Sequence, residues 1–133
     1  QTIMPRLQDD PLLLLHAVAK GERLPSTVRW RPEAAVCVVL ASGGYPGEYQ
    51  TGKPISGIEE AEKLPDVTVF HAGTALEDGR LVTAGGRVLG VTALGAGIPA
   101  AIARAYEAAA KICFEGIHFR KDIGRKALKR GGR

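Results

Sequence analysis

The feature that most limits the possible folds is a run of short strand-like segments separated by turn signals. In LEDGRLVTAGGRVLGVTALG, residues 76–95, Asp78-Gly79 is typical of a tight hairpin turn, and Gly85-Gly86 interrupts the apolar pattern. Valine and threonine, which favour strands, occur on both sides of these breaks. The run therefore predicts strands that fold back on one another as an antiparallel sheet.

Further strands are predicted on either side of this run. AAVCVVLAS, residues 34–42, is apolar, rich in β-branched residues and too short for a long helix, so we predict a buried strand. In DVTVFHAG, residues 66–73, the alternation predicts a strand with Val67, Val69 and His71 on one face. A last short strand is predicted at IHFR, near the end of the chain.

The first helix is predicted where Asp10-Pro11 precedes LLLLHAVAKG. Asp10 can cap this helix, Pro11 suits its first position, and Gly21 can end it. The residues expected on its apolar face are Leu12, Leu15, Val18 and Ala19.

Two more helices complete the pattern. GIEEAEKLP predicts a short helix closed by Pro65, and residues 99–114 predict a longer, alanine-rich one. The residues that recur at helical spacing in the longer helix are Ile102, Ala105, Tyr106, Ala109, Ile112 and Cys113. Strands joined by hairpins and flanked by helices place the chain in the α+β class, with a mainly antiparallel sheet.

The positive charge is concentrated at the C-terminal end. The net charge is +4, and residues 120–133 hold seven Lys and Arg against one Asp. A basic end can bind nucleic acid, but no aromatic residue lies beyond Phe119 to stack on bases. This favours a solvated terminus over a nucleic-acid site, although a stand-alone basic module that binds a polyanion stays open as an alternative.

The cysteines and the start of the chain predict the cellular compartment of the protein and its relation to a longer chain. Cys37 and Cys113 lie in apolar segments, so we predict small buried side chains in a reduced, cytoplasmic protein. Because there is no Cys-x-x-Cys spacing and no apolar run of membrane length, neither a metal site nor a membrane partner is predicted. The chain begins at Gln1 without an initiator methionine, and we expect it to be a piece of a longer protein.

No group of residues has the pattern of a catalytic centre, and none is predicted. A possible binding cluster arises instead if the strands around Asp78-Gly79 pair, because two loops then meet at one end of the sheet. These loops would bring together His71, Gly73, Thr74, Gly85, Gly86 and Arg87. Their amides, hydroxyl, imidazole and guanidinium suit a phosphate monoester, with Arg87 as the bidentate donor. The alternative is two ordinary loops with an incidental surface arginine.

The glycine-rich segment SGGYPGEYQTG, residues 42–52, raises the question of a second phosphate site. Its spacing matches neither the dinucleotide-binding glycine motif nor the phosphate-binding loop of nucleotide hydrolases. Glycine and proline are first of all turn residues, so we interpret this segment as a tight turn.

Three blocks in order carry a family resemblance: VVLASGGYPGEY, VFHAGTALEDGRLVTAGGRVLGVTALG and KICFEGIHFRKDIGRKAL. They resemble the C-terminal part of the glycinamide ribonucleotide synthetase family, ATP-grasp ligases of purine biosynthesis. The likeness extends from about Gln1 to Leu128. It implies that residues 1–30 are the trailing helix of the ATP-grasp core and a linker, that 31–128 are the C-terminal domain, and that 129–133 are a basic tail.

The resemblance also implies an activity for a longer parent enzyme. That family joins glycine to 5-phosphoribosylamine and uses ATP to make a glycyl phosphate. ATP and magnesium would be held by residues before Gln1, in upstream domains that are the natural partners of this chain. The chain alone is therefore expected to have no ligase activity.

Site residues follow from the same resemblance. In related enzymes a Gly-Arg strand start holds the ribose phosphate, which implies that role for Arg87. The other implied substrate-binding residues are Gly86, Gly73, Thr74 and His71, with Tyr45 closing the cleft. Ala75 departs from the family pattern, because some relatives carry a lysine there. Residues 120–122 are expected to dock the other domains.

Overall fold

The computed structural model describes residues 1–128 of the chain. The predicted basic tail, 129–133, lies outside the described residues. The elements in chain order are a 3₁₀ turn Met4–Arg6, α1 Pro11–Lys20, β1 Ala34–Ala41, α2 Ile58–Glu62, β2 Val67–His71, β3 Thr74–Glu77, β4 Arg80–Thr83, β5 Arg87–Gly95, α3 Ile98–Ala109 and α4 Arg125–Leu128. Within these residues, no helix is both long and apolar enough to cross a membrane.

The main sheet has three antiparallel strands with β5 at its centre. β1 and β2 pair with β5 on its two sides, and every residue of β5 after Arg87 is buried. β3 and β4 form a separate two-stranded hairpin that turns at Asp78-Gly79, where both residues have positive φ. The predicted hairpin and the α+β class, with a mainly antiparallel sheet, are confirmed.

The core lies between one face of the main sheet and α3. Val36, Val38 and Leu40 of β1 are buried on this face. The helix contributes small side chains to the same cluster, namely Ala101, Ala105, Ala108 and Ala109. Because alanine projects so little, the helix backbone can approach the sheet closely, and the larger valine and leucine side chains fill the space between them.

The alanine-rich helix is shorter than the sequence predicts. It ends at Ala109 rather than residue 114, and Cys113 then pairs with Ser56, each backbone N–H donating to the other's carbonyl at 3.0 Å. Ile112 and Phe114 are buried after the helix has ended. The apolar pattern extends past the end of the helix because Ile112 and Phe114 remain in the core. In this segment, backbone hydrogen bonds to Ser56 replace those of a helix.

Two other sequence predictions are wrong. IHFR forms no strand, because only His118 pairs, through two backbone bonds to Ala41 at 2.9 and 3.0 Å. The cysteines are not both buried: Cys37 is half-exposed on the face of the sheet opposite α3, and Cys113 is exposed. Cys113 points outward because the extended chain places its neighbours Ile112 and Phe114 in the core.

Helix α1 has the predicted bounds and caps, and none of its side chains is buried. The Asp10 carboxylate accepts the Leu12 N–H at 2.8 Å, and Gly21 ends the helix in the left-handed conformation. The predicted apolar face points to solvent, with Leu12 70% and Leu15 67% exposed. Leu14 is half-buried and lines a groove together with Pro25 and Thr27 of the segment that follows the helix.

We expect Gly95→Ala to destabilise the fold, because a Cβ at residue 95 would lie 2.5 Å from the backbone nitrogen of Ala101 in α3. The helix or the strand must shift, and overpacking of this kind costs about 1–3 kcal/mol. Gly97→Ala is the matched control, since its nearest neighbour, Pro99 Cδ, would be 3.7 Å away. Urea denaturation of both variants measures the difference, and equal losses would contradict the prediction.

Candidate functional site

The structure brings the two predicted loops together beside the start of β5. The Gly73 N–H donates to the Arg87 carbonyl at 2.8 Å, and the Gly73 carbonyl accepts the Ala84 N–H at 2.8 Å. A Cβ on Gly73 would lie 2.7 Å from the Arg87 carbonyl oxygen and 2.8 Å from Gly85 Cα. Glycine is therefore required at this contact, and the close approach fixes the position of both loops.

A cavity of about 590 Å³ opens at this end of the sheet. Its lining consists of Gln1, Val39, Tyr45, Ala72, Gly86, Arg87 and Leu89. The sequence patterns did not predict Gln1 as a lining residue, because its position depends on distant contacts. Gln1 lies over Gly90 in the centre of the sheet and accepts a hydrogen bond from the Thr92 hydroxyl at 3.1 Å.

Arg87 and Gly86 offer the free donors of this cavity. Arg87 is exposed, and no ion pair involves its guanidinium within residues 1–128. Gly86 is buried, and its N–H has no acceptor in the same part of the chain. A buried amide without an acceptor is costly, which makes it a ready donor to a ligand.

Tyr45 forms the wall between this cavity and a second one. Its ring lies against Gly86 so closely that a Cβ there would overlap Cδ2 and Cε2. The second cavity, of about 360 Å³, is mainly apolar and shares Val39, Tyr45 and Arg87 with the first. The predicted tight turn at Tyr45 is present, and the Tyr45-Pro46 peptide bond is cis.

The remaining predicted site residues lie beside the cavity. His71 Nδ1 and Thr74 Oγ1 are 3.0 Å apart and hydrogen-bond to each other. Neither residue is part of the cavity lining, and the Gly73 N–H is already bonded to the Arg87 and Val88 carbonyls. Among the residues that the structure describes, no cluster of His, Cys, Asp or Glu could hold a metal ion.

The segment around Arg120 borders the second cavity. Its guanidinium bonds the Asp122 carboxylate through Nε at 2.9 Å and through a terminal nitrogen at 2.7 Å. These hydrogen bonds hold the pKa of Asp122 below its usual value. The Tyr106 hydroxyl donates to the Arg120 carbonyl at 2.6 Å, so the segment is fastened to α3.

Comparison with known proteins gives consistent results. The family profile "Phosphoribosylglycinamide synthetase, C domain" matches residues 35–126. A phosphoribosylamine–glycine ligase from Synechocystis is 48% identical over 130 residues, which are 96% of this chain and 30% of that protein. The same enzyme from Caulobacter vibrioides is 50% identical over 131 residues, covering 97% of this chain and 30% of its own length.

A solved structure agrees with these relatives. The crystal structure of phosphoribosylamine–glycine ligase from Thermotoga maritima has a TM-score of 0.68 and 37% identity to this chain. The match covers 84% of this chain and 26% of that one. This chain therefore spans about 30% of the length of the curated relatives that it matches.

We expect Gly86→Ala to destabilise the chain by about 1–3 kcal/mol, because the added methyl group displaces the Tyr45 ring. In a Tyr45→Ala background the same substitution should cost almost nothing, since the ring is gone. Chemical denaturation of the single and double variants measures this coupling. If the cost persists without the ring, its origin is the backbone at residue 86 and not the contact with Tyr45.

Proposed function

This chain belongs to the phosphoribosylglycinamide synthetase C-domain family, and we propose that it forms part of the phosphoribosylamine site in a longer ATP-dependent ligase. The longer enzyme would join glycine to 5-phosphoribosylamine in purine biosynthesis. ATP and magnesium would bind to the parts of that enzyme outside this chain. The alternative, a stand-alone module for polyanions, receives no support from the comparisons.

The observation that carries the proposal is the pair of donors at the cavity. A phosphate dianion that leaves water needs charge-assisted hydrogen bonds, and a guanidinium supplies two in one plane. Arg87 stands next to the buried Gly86 amide, and both line a cavity of about 590 Å³. A phosphate on these donors would leave the ribose and its amine facing the open side of the cavity.

The other residues implied by the family resemblance have supporting roles in this proposal. Gly73 holds the Arg87 carbonyl, and His71 and Thr74 brace the start of β3 through their mutual hydrogen bond. Tyr45 closes one side of the cavity over Gly86. The phosphate would therefore contact Arg87 and Gly86, and the remaining residues would fix their positions.

We also propose that α1, within residues 1–30, packs against the upstream domains of the longer protein. None of the side chains of α1 is buried, and its outward face carries leucine and valine. The residues concerned are Leu12, Leu13, Leu15 and Val18, each at least 58% exposed. An apolar helix face of this kind is typical of an interface. Residues 31–128 would then be the C-terminal domain.

In the longer enzyme, Arg87→Ala should raise the KM for phosphoribosylamine and leave the KM for ATP unchanged. Loss of a hydrogen bond to a charged group corresponds to about 1.5–3 kcal/mol, or about 10- to 150-fold in KM. Arg87→Lys should recover part of the loss, because a point charge cannot reproduce the planar fork. The assay is ADP release that depends on glycine and phosphoribosylamine.

Arg80→Ala is the matched control, since Arg80 is exposed on the hairpin and does not line the cavity. Its KM values should equal those of the unchanged enzyme. Equal increases for ATP and phosphoribosylamine in Arg87→Ala would show that Arg87 supports the fold rather than the phosphate. The isolated chain should release no ADP, and glycine-dependent turnover by it would refute the assignment of ATP to the rest of the enzyme.

If α1 docks on the upstream domains, substitutions on its outward face should lower the unfolding free energy of the longer protein but not that of the isolated chain. Leu12→Gln with Leu15→Gln should change the unfolding free energy of the isolated chain by less than about 0.5 kcal/mol, because both side chains are exposed. In the longer protein the pair should cost about 1.5–3 kcal/mol for each leucine that becomes buried. Leu76→Gln, at a leucine 75% exposed on the hairpin, is the control. The same small change in both proteins would contradict docking through α1.

A further inference from the structure

Ser42 joins the two walls of the cavity although it lies outside the lining. It follows β1 directly and is 3% exposed. Its N–H donates to the Gly86 carbonyl at 2.9 Å, and its hydroxyl donates to the Gly85 carbonyl at 2.8 Å. Its own carbonyl accepts the Tyr45 N–H at 3.1 Å. All three polar groups of this residue are therefore used at the site.

These bonds fix the direction of two backbone amides. In a trans peptide the C=O and the N–H of one plane point in opposite directions. The Gly85 and Gly86 carbonyls both point to Ser42. The Gly85 carbonyl shares its peptide plane with the Gly86 N–H, and the Gly86 carbonyl shares its plane with the Arg87 N–H. Both N–H groups therefore point away from Ser42. Successive amides with a shared direction are typical of backbone anion sites.

In the described part of the chain, Ser42 supplies the hydrogen bonds that restrain this part of the loop. On the N-terminal side of the two glycines, the Ala84 N–H donates to the Gly73 carbonyl. On their C-terminal side, the Arg87 carbonyl accepts the Gly73 N–H. Between these anchors, within residues 1–128, the hydrogen bonds to Gly85 and Gly86 come from Ser42. Two successive glycines have the widest choice of backbone conformations, so without Ser42 the peptide planes could rotate.

We propose that Ser42 is a positioning residue that orients the Gly86 and Arg87 amides toward the phosphate of the substrate. The proposal rests on the proposed function of the cavity. It adds that the affinity for the phosphate depends on a buried hydroxyl that never touches it. Ser42 also sets the distance between these amides and Tyr45, because it bonds to both sides.

The test uses the longer enzyme and follows ADP release. Ser42→Ala should raise the KM for phosphoribosylamine roughly five- to tenfold, the effect of losing one buried hydrogen bond. The KM for ATP and kcat should stay within about twofold. Ser42→Thr, which keeps the hydroxyl, should restore most of the affinity, and Ser42→Cys, a weaker donor, should lie between Thr and Ala.

Ser56→Ala is the matched control. The Ser56 hydroxyl also donates to a backbone carbonyl, that of Cys113 at 3.4 Å, and Ser56 does not line the cavity. This variant should keep the KM values of the unchanged enzyme. If Ser42→Ala does not fold, the Thr and Cys variants test the proposal. An orienting hydroxyl predicts a higher KM for phosphoribosylamine in Ser42→Cys than in Ser42→Thr, and equal KM values would contradict it.

The outcomes separate this inference from the proposed function. If Arg87→Ala raises the KM for phosphoribosylamine while Ser42→Ala does not, Ser42 is no positioning residue and the phosphate site stands. If neither does, the phosphate site itself is refuted, and this inference with it. The double variant should lose less than the product of the two single losses, since both act on one group of donors. A loss equal to the product would overturn the proposal.

Discussion

The central strand β5 exchanges backbone hydrogen bonds with β1 on one side and β2 on the other, and the remaining structure depends on this double pairing. It buries every residue of β5 after Arg87 and presents one apolar face to α3. It also brings the ends of β1 and β2 to the point where β5 begins. The cavity lies at that point, so the pairing that forms the core also assembles the site.

The geometry of the site depends on an irregularity in the pairing of β1 with β5. The register between β1 and β5 shifts between Leu40 and Ala41, and Ser42 then bonds to Gly85 and Gly86 across the irregularity. Irregularities of this kind redirect backbone groups at the edges of functional sites. Within residues 1–128, the Gly86 N–H beside this shift has no backbone partner, while regular pairing of β5 with β1 continues from Leu89 onward.

Local signals explain what could be predicted from the sequence. The Asp10 cap and the Asp78-Gly79 turn depend on a few neighbouring residues, and both occur where expected. The end of α3 was missed because Cys113 pairs with Ser56, far away in the chain. In the same way, no pattern in the sequence relates Ser42 to Gly85. The cluster around Arg87 followed from strand pairing, but its role came from family resemblance, because glycines and one arginine have many structural uses.

The outward face of α1 has a consequence for the colloidal behaviour of the chain. Core packing determines the free energy of unfolding, whereas attraction between molecules depends on the side chains that are exposed. The leucines of α1 form an apolar patch that two copies can share when nothing else covers it. The net charge of +4 opposes such contacts over a distance that shortens as salt is added. This face therefore favours self-association of the isolated chain, and added salt weakens the charge repulsion that opposes it.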